Sequence, residues 1–238
     1  MLSLIPLIIG DYLMKGTRPL SNAEIEKVSK CFEGMYEVRN RALFMIGVST
    51  GGRISELLRL KIGDVWQNDR PVTDLLFQKG IVKGGKISRA VPLNADGRLA
   101  VNDIISMVPP PPNPEAPLFQ SRKGGAITRK AAADILSQAF TAAGLNGKLA
   151  THSLRKSFAQ RLYDESGDIF MVKEMLGHQS VQTTQVYLGI NYANLKETLE
   201  NIAIATGDIH RNRTPVYRAT DGELLTELLK RGIRIKSH

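Results

Sequence analysis

Apolar residues recur at helical spacing along most of this chain, and the recurrence breaks only once. Ser21-Asn22-Ala23-Glu24 reads as a capping box, and it predicts a helix running to about Phe32 with Gly34 as its stop. Arg39 to Ser49 is apolar nearly all round, which predicts a central helix. After Thr50-Gly51-Gly52, a third helix would turn Ile54, Leu57, Leu58 and Leu60 inward. The pattern then changes to extended runs, Asp74 to Val82 and Lys86 to Leu93, on either side of Gly84-Gly85, a hairpin signal. A helix near Leu99–Met107 runs into prolines 109 to 112, which open the one linker-like stretch, ending at Pro117. Helical spacing then resumes. Thr128 caps a helix to Ala143, His152 to Glu165 follows, Asp168 to Leu176 ends at Gly177, and Ser180 caps a short helix that carries Tyr187. Two more helices are expected, about Tyr192–Ala205 and Asp221–Arg231. The expected fold is therefore α+β and mainly helical, with helices around one small antiparallel sheet.

Composition narrows the partner. With 238 residues, 42% hydrophobic and 23% charged, the chain can bury a core without disulfides or metals. Lys and Arg exceed Asp and Glu by 32 − 23 = 9, and the pI is about 9.7, a balance that favours a polyanion such as nucleic acid or an anionic membrane. The single cysteine, Cys31, excludes an intrachain disulfide and a cysteine-based zinc site. The first ten residues are apolar, but they lack a basic flank and a cleavage site, are too short to span a bilayer, and contain Pro6. They are expected to be an extension or linker remnant of a cytoplasmic, nucleoid-associated protein that does not enter a membrane.

Four local patterns carry candidate chemistry. In Thr50-Gly51-Gly52-Arg53-Ile54-Ser55-Glu56, glycines let backbone approach a ligand closely, and an arginine sits at a helix start where phosphate binds well. Alone, an Arg and a Glu three apart are more often a surface ion pair. Lys83-Gly84-Gly85-Lys86 puts lysines on a hairpin tip, and solvated turn lysines are the commoner case. His152-Ser153-Leu154-Arg155 places imidazole and guanidinium on one helix face, although this spacing is frequent by chance. Finally, Leu176-Gly177-His178 is followed nine residues after the histidine by Tyr187, which taken singly would be read as a core tyrosine.

In this order the four patterns resemble the catalytic domain of the tyrosine recombinase (phage integrase) family over roughly residues 19 to 199. TGGRISELLRLKIGDV is similar to the family's first arginine box, and HSLRKSFAQRLYDESGDIFMVKEMLGHQSVQTTQVYL to the segment from its second box through the nucleophile. The resemblance implies Arg53 and Arg155 as the two arginines, His152 and His178 as the histidines, and Tyr187 as the nucleophile. It also implies Lys83, ahead of Lys86 or Lys79, as the hairpin lysine. Glu56 would support the arginine pocket from behind.

The chemistry is coherent in its own right. Two guanidiniums and two imidazoles can stabilise charge growing on non-bridging phosphate oxygens. A cationic pocket is expected to help ionise Tyr187, and Lys83 can protonate the leaving 5′ oxygen. The resemblance implies DNA recombination or integration through a 3′-phosphotyrosyl intermediate, with no cofactor. It also implies double-stranded DNA as partner, a homotetramer on that DNA, and accessory DNA-bending proteins. The alternatives are an integrase-like DNA-binding or regulatory protein that does not cut, and a relaxing enzyme of the type IB topoisomerase kind. The expected organisation is an extension over 1–20, the catalytic domain over 21–206, and a basic tail over 207–238. The tail's leucines 224, 225, 228 and 229 form a stripe that would be buried either against its own domain or by docking onto a neighbouring protomer.

Overall fold

The computed structural model describes residues 16–77 and 89–189. Among these the chain is α+β and mainly helical. The helices are α1 (Asn22–Ser29), α2 (Glu37–Thr50), α3 (Ile54–Leu57), α4 (Ile62–Val65), α5 (Ala95–Ser106), α6 (Arg129–Ala142), α7 (Thr151–Ser166), α8 (Ile169–Leu176) and α9 (Val181–Leu188). The strands are β1 (Trp66–Gln67), β2 (Arg70–Pro71), β3 (Asp74–Phe77) and β4 (Arg89–Pro92).

Local chemistry sets the helix ends. Ser21 accepts from the Glu24 amide while the Glu24 carboxylate accepts from the Ser21 amide, a complete capping box on α1. Asn94, Thr128, Asp168 and Ser180 cap α5, α6, α8 and α9 through their side chains. Left-handed glycines end α2 (Gly51), α7 (Gly167), α8 (Gly177) and α9 (Gly189).

The apolar pattern of α2 is explained by its position. Leu43, Phe44 and Ile46 are fully buried, and α2 packs against α5 on one side and α7 on the other. Each such side chain contributes about 1.5–3 kcal/mol relative to exposure. A second cluster joins α1, α2, α6 and α7 around Val28, Phe44, Leu136 and Leu154. A third, smaller one (Ala159, Val172, Leu176, Leu188) holds α7, α8 and α9 together.

Several boundaries differ from expectation. Helix α1 stops at Ser29 rather than Phe32, because the chain turns to drop Phe32 into the core, 5.8 Å from the Phe44 ring centre. Helix α3 stops at Leu57 because the following backbone pairs with residues 117 and 118: Leu118 N–H donates to Leu60, and Lys61 bridges Pro117. That pairing also corrects the reading of the proline stretch as linker-like. Gly63 and Ile62 N–H groups donate to the Pro114 and Ala116 carbonyls, so the end of the stretch is packed against α4. Helix α5 begins at Ala95 rather than Leu99, because Asn94 caps it.

Two two-stranded antiparallel ladders replace the single sheet among the described residues. The additional one, β1–β2, turns through Asn68 and Asp69, both left-handed (φ 52° and 54°), the geometry of a tight hairpin turn. In the expected hairpin, β3 and β4 pair from Asp74 opposite Pro92 to Phe77 opposite Arg89, with Leu75 and Val91 facing the core. Its tip, with Gly84-Gly85, lies outside the described residues, as do the two helices expected after residue 189.

Candidate functional site

The ends of α2, α7 and α8 meet at one point, and Arg155 joins them. Its side chain is 1% exposed. Nη1 donates to the Gly51 carbonyl and Nη2 to the Leu176 carbonyl, each at 2.6 Å. Both carbonyls lie at helix C-termini, where the backbone dipole is negative and favours a cation. Gly51 is required there. Its φ is +61°, and an added Cβ would lie 2.4 Å from Phe158 Cδ1. Burial nevertheless pulls the Arg155 pKa down to about 10, with Arg53 and Arg89 adding to the fall, so the guanidinium remains charged at neutral pH.

Arg53 stands just ahead of α3 with its side chain 45% exposed. Its Nη1 donates to Glu56 Oε1 at 2.9 Å, and its backbone N–H donates to Oε2 at 2.7 Å. Arg89, on β4, donates to the same carboxylate through both nitrogens, at 3.0 and 2.9 Å. Burial would raise the Glu56 pKa, but the bonds from Arg89 and from Arg53 outweigh it and hold the carboxyl at about 2. Glu56 is thus held by Arg53 and Arg89 together, and Arg89 is a member of the group that sequence reasoning missed.

Tyr187 projects from α9 between the two histidines. Its ring centre lies 5.6 Å from that of His152 and 5.4 Å from that of His178, both edge-to-face. The Lys156 ammonium stands 5.6 Å from the same ring centre. The Tyr187 hydroxyl is buried and has no hydrogen-bond partner among the described residues. Buried polar groups are nearly always paired, so this orphan stands out. Burial pushes the Tyr187 pKa up to about 12, although Arg155 and Arg53 pull against it. The nearby cations thus favour the ionised phenol, but in the free protein loss of solvent outweighs them.

The histidines are biased the other way. Burial, then Arg155, Lys156 and Arg53, lower the His152 pKa, and burial followed by the three arginines brings His178 to about 4. Both imidazoles are therefore neutral at pH 7. His178 Nδ1 is 3.0 Å from Thr184 Oγ1, and this buried hydroxyl on α9 orients the ring.

Five of the six expected reactive positions (Arg53, His152, Arg155, His178 and Tyr187) thus converge with Glu56. Lys83 lies outside the described residues. Arg89, Lys156 and Thr184 were not anticipated. Lys156 immediately follows Arg155 and Thr184 stands three residues before Tyr187, whereas Arg89 is a single arginine in a short strand, with its partner 33 residues away. An exposed cleft lined by Arg53, Glu56, Arg89 and His178 opens beside the group. Convergent cations, neutral imidazoles and a buried phenol suit an anionic diester better than a neutral substrate.

Residues 19–194 match the family model described as the phage integrase family. The chain is 34% identical over 163 residues to tyrosine recombinase XerD of Corynebacterium glutamicum, covering 68% of this chain and 51% of that protein. It is 33% identical over 184 residues to tyrosine recombinase XerC of Bradyrhizobium diazoefficiens, covering 77% and 56%. The chain thus spans about half the length of the curated relatives it matches. Among solved structures, XerH site-specific recombinase bound to palindromic difH substrate, a post-cleavage complex, matches with TM-score 0.61 and 30% identity over 78% of this chain and 53% of that one. XerA recombinase matches in fold, with TM-score 0.63 and 24% identity over 83% and 67%.

Proposed function

This chain belongs to the phage integrase family, and from that premise we propose that it acts on double-stranded DNA as a site-specific recombinase, cutting and rejoining strands through a 3′-phosphotyrosyl intermediate. The observation that carries the reading is the buried Tyr187 hydroxyl, without a partner among the described residues and set between two neutral imidazoles beside Arg155. XerH site-specific recombinase, which resembles this chain, is bound to palindromic difH substrate in its post-cleavage complex.

In the proposed step the Tyr187 oxygen attacks phosphorus and the P–O5′ bond breaks. The phosphate stays on the 3′ strand as a tyrosyl ester, and the 5′ oxygen leaves as an alcohol. Arg53 and Arg155 hold the non-bridging oxygens, where charge grows. Among the described residues, carbonyls engage two of the five N–H groups of Arg155, and the diester would take up others. The high pKa of Tyr187 requires its proton to leave during attack, and a neutral His152 or His178 can accept it or donate to phosphate. Reversal by an incoming 5′ hydroxyl reseals the strand, so bond energy is conserved. In this reading 21–206 is the catalytic domain, and a homotetramer assembles on DNA.

The direct test uses nicked duplexes, randomised through the cleavage region, that lose a short fragment on cutting. A detergent-resistant protein–DNA adduct that proteinase removes is expected. A folded protein that shifts DNA in gels yet forms no adduct across the library would leave only a binding role. Lys83 is the proposed donor to the leaving oxygen. A 5′-bridging sulfur leaves without that proton, so such a substrate should restore cutting to Lys83→Ala but not to Arg155→Ala. Rescue of Lys86→Ala in its place would move the role three residues along.

A further inference from the structure

Arg89 contacts three parts of the site at once. Its guanidinium forks onto both oxygens of Glu56, at 3.0 and 2.9 Å, in the bidentate geometry that fixes orientation as well as charge. It also stacks over the Phe77 ring, 4.5 Å from the centroid, across the β3–β4 ladder. Its Cδ lies 3.2 Å from where a Cβ on Gly177 would stand, so its aliphatic stem abuts the turn between Leu176, which holds Arg155, and His178. The side chain is only 11% exposed, and its Nε is buried without a partner among the described residues.

Glu56 cannot orient Arg53 alone. A lone buried carboxylate beside an exposed arginine is costly to keep charged, and once protonated it offers Arg53 a much weaker acceptor. We propose that Arg89 is a positioning residue for Arg53, acting through the carboxylate of Glu56 that the two arginines share and seating that pair against the turn that carries His178. The proposal rests on the reading of Arg53 as a phosphate clamp. The charged and titratable groups facing Glu56 among the described residues are Arg53 next to α3, Arg89 on β4 and Arg155 on α7. Lys173, Glu174 and His178 line the same cleft from α8 and the turn after it. With Arg89 removed, Glu56 retains its burial and loses its larger partner, so its protonation moves up toward the assay range. A carboxyl with a lowered folded pKa contributes fully at neutral pH, and its contribution is lost as pH falls through the folded value. Raising that value brings the loss to milder acid.

The test compares adduct formation by the parent, Arg89→Leu and Arg89→Lys on the nicked duplex from pH 8 to pH 5.5. The rate of Arg89→Leu relative to the parent is expected to fall by about fivefold or more across that range, with a smaller fall for Arg89→Lys, which can make one bond to Glu56 but not two. Glu56→Gln should remove the pH dependence of the ratio. A ratio that stays constant with pH, however low, overturns the proposal, because a merely structural residue lowers the rate equally at every pH. If Arg89→Leu does not fold, Arg89→Lys carries the comparison, and a profile identical to the parent's overturns it. If the parent forms no adduct, the recombinase reading fails and the inference is read separately, from the carbon-13 titration of the Glu56 carboxyl. An upward-shifted midpoint in Arg89→Leu or Arg89→Lys supports it, and an unmoved one overturns it.

Discussion

Tyr187→Phe is expected to abolish covalent attachment to DNA altogether while leaving DNA binding within a few fold. The substitution removes one oxygen and no charge, so the cationic surface that would contact the backbone is unchanged. It should also leave the fold intact. The lost hydroxyl is buried and has no partner among the described residues, and removing such a group strands no other donor or acceptor. The melting temperature should therefore stay level or rise slightly, a signature that separates loss of a nucleophile from loss of structure. Gel-shift titration, denaturing gels for the adduct and a thermal melt together read all three quantities. An adduct formed by the phenylalanine variant, through Tyr163 or Tyr192, would remove Tyr187 from its role.

The two arginines should behave differently, because one is exposed and the other is built into the core. Arg53→Ala is expected to slow cutting by about 10²–10³, the loss seen when a preorganised donor to a developing oxyanion is removed. Its stability should change little, since Glu56 keeps both bonds to Arg89. Arg155→Ala should lose at least as much rate and also several kcal/mol of stability. It leaves the Gly51 and Leu176 carbonyls unpaired in the interior, at about 1–3 kcal/mol each. Rates must therefore be measured well below the variant's melting point. Arg155→Lys keeps the charge but cannot bridge two carbonyls and face a diester at once, so it should recover stability only in part. Cutting by either alanine variant within about tenfold of the parent would place that arginine outside the phosphate pocket.

What could be read from the sequence followed from how local each determinant is. The Ser21 capping box, the Thr128 and Ser180 caps and the glycine stop at 177 act within one helical turn, and all are in place. The His152–Arg155 pair and the Gly177-His178 turn also act at short range, and so were legible as motifs. Arg89 was not, because its meaning lies in Glu56, on a different element. The β1–β2 turn was missed because Asn68-Asp69 carries no glycine, although both residue types tolerate the left-handed region. The high pKa of Tyr187 could not be inferred from a count of neighbouring cations, since it depends on how much water the packed helices exclude.

The tie through Arg155 has a consequence for when the pocket exists at all. Its guanidinium is oriented by the carbonyls of residues 51 and 176, and the second of these ends a helix held by the smallest of the apolar clusters. Stability within a protein is uneven, and small clusters open first. Were α8 and α9 to open together, Arg155 would lose its anchor at Leu176 and Tyr187 would lose its place in the same event. A scissile diester that engages only the closed arrangement would raise the cost of opening by RT ln(1 + L/Kd), where L is its free concentration. On the proposed function, reactivity and local folding become one equilibrium, and a bound diester would complete the site it engages.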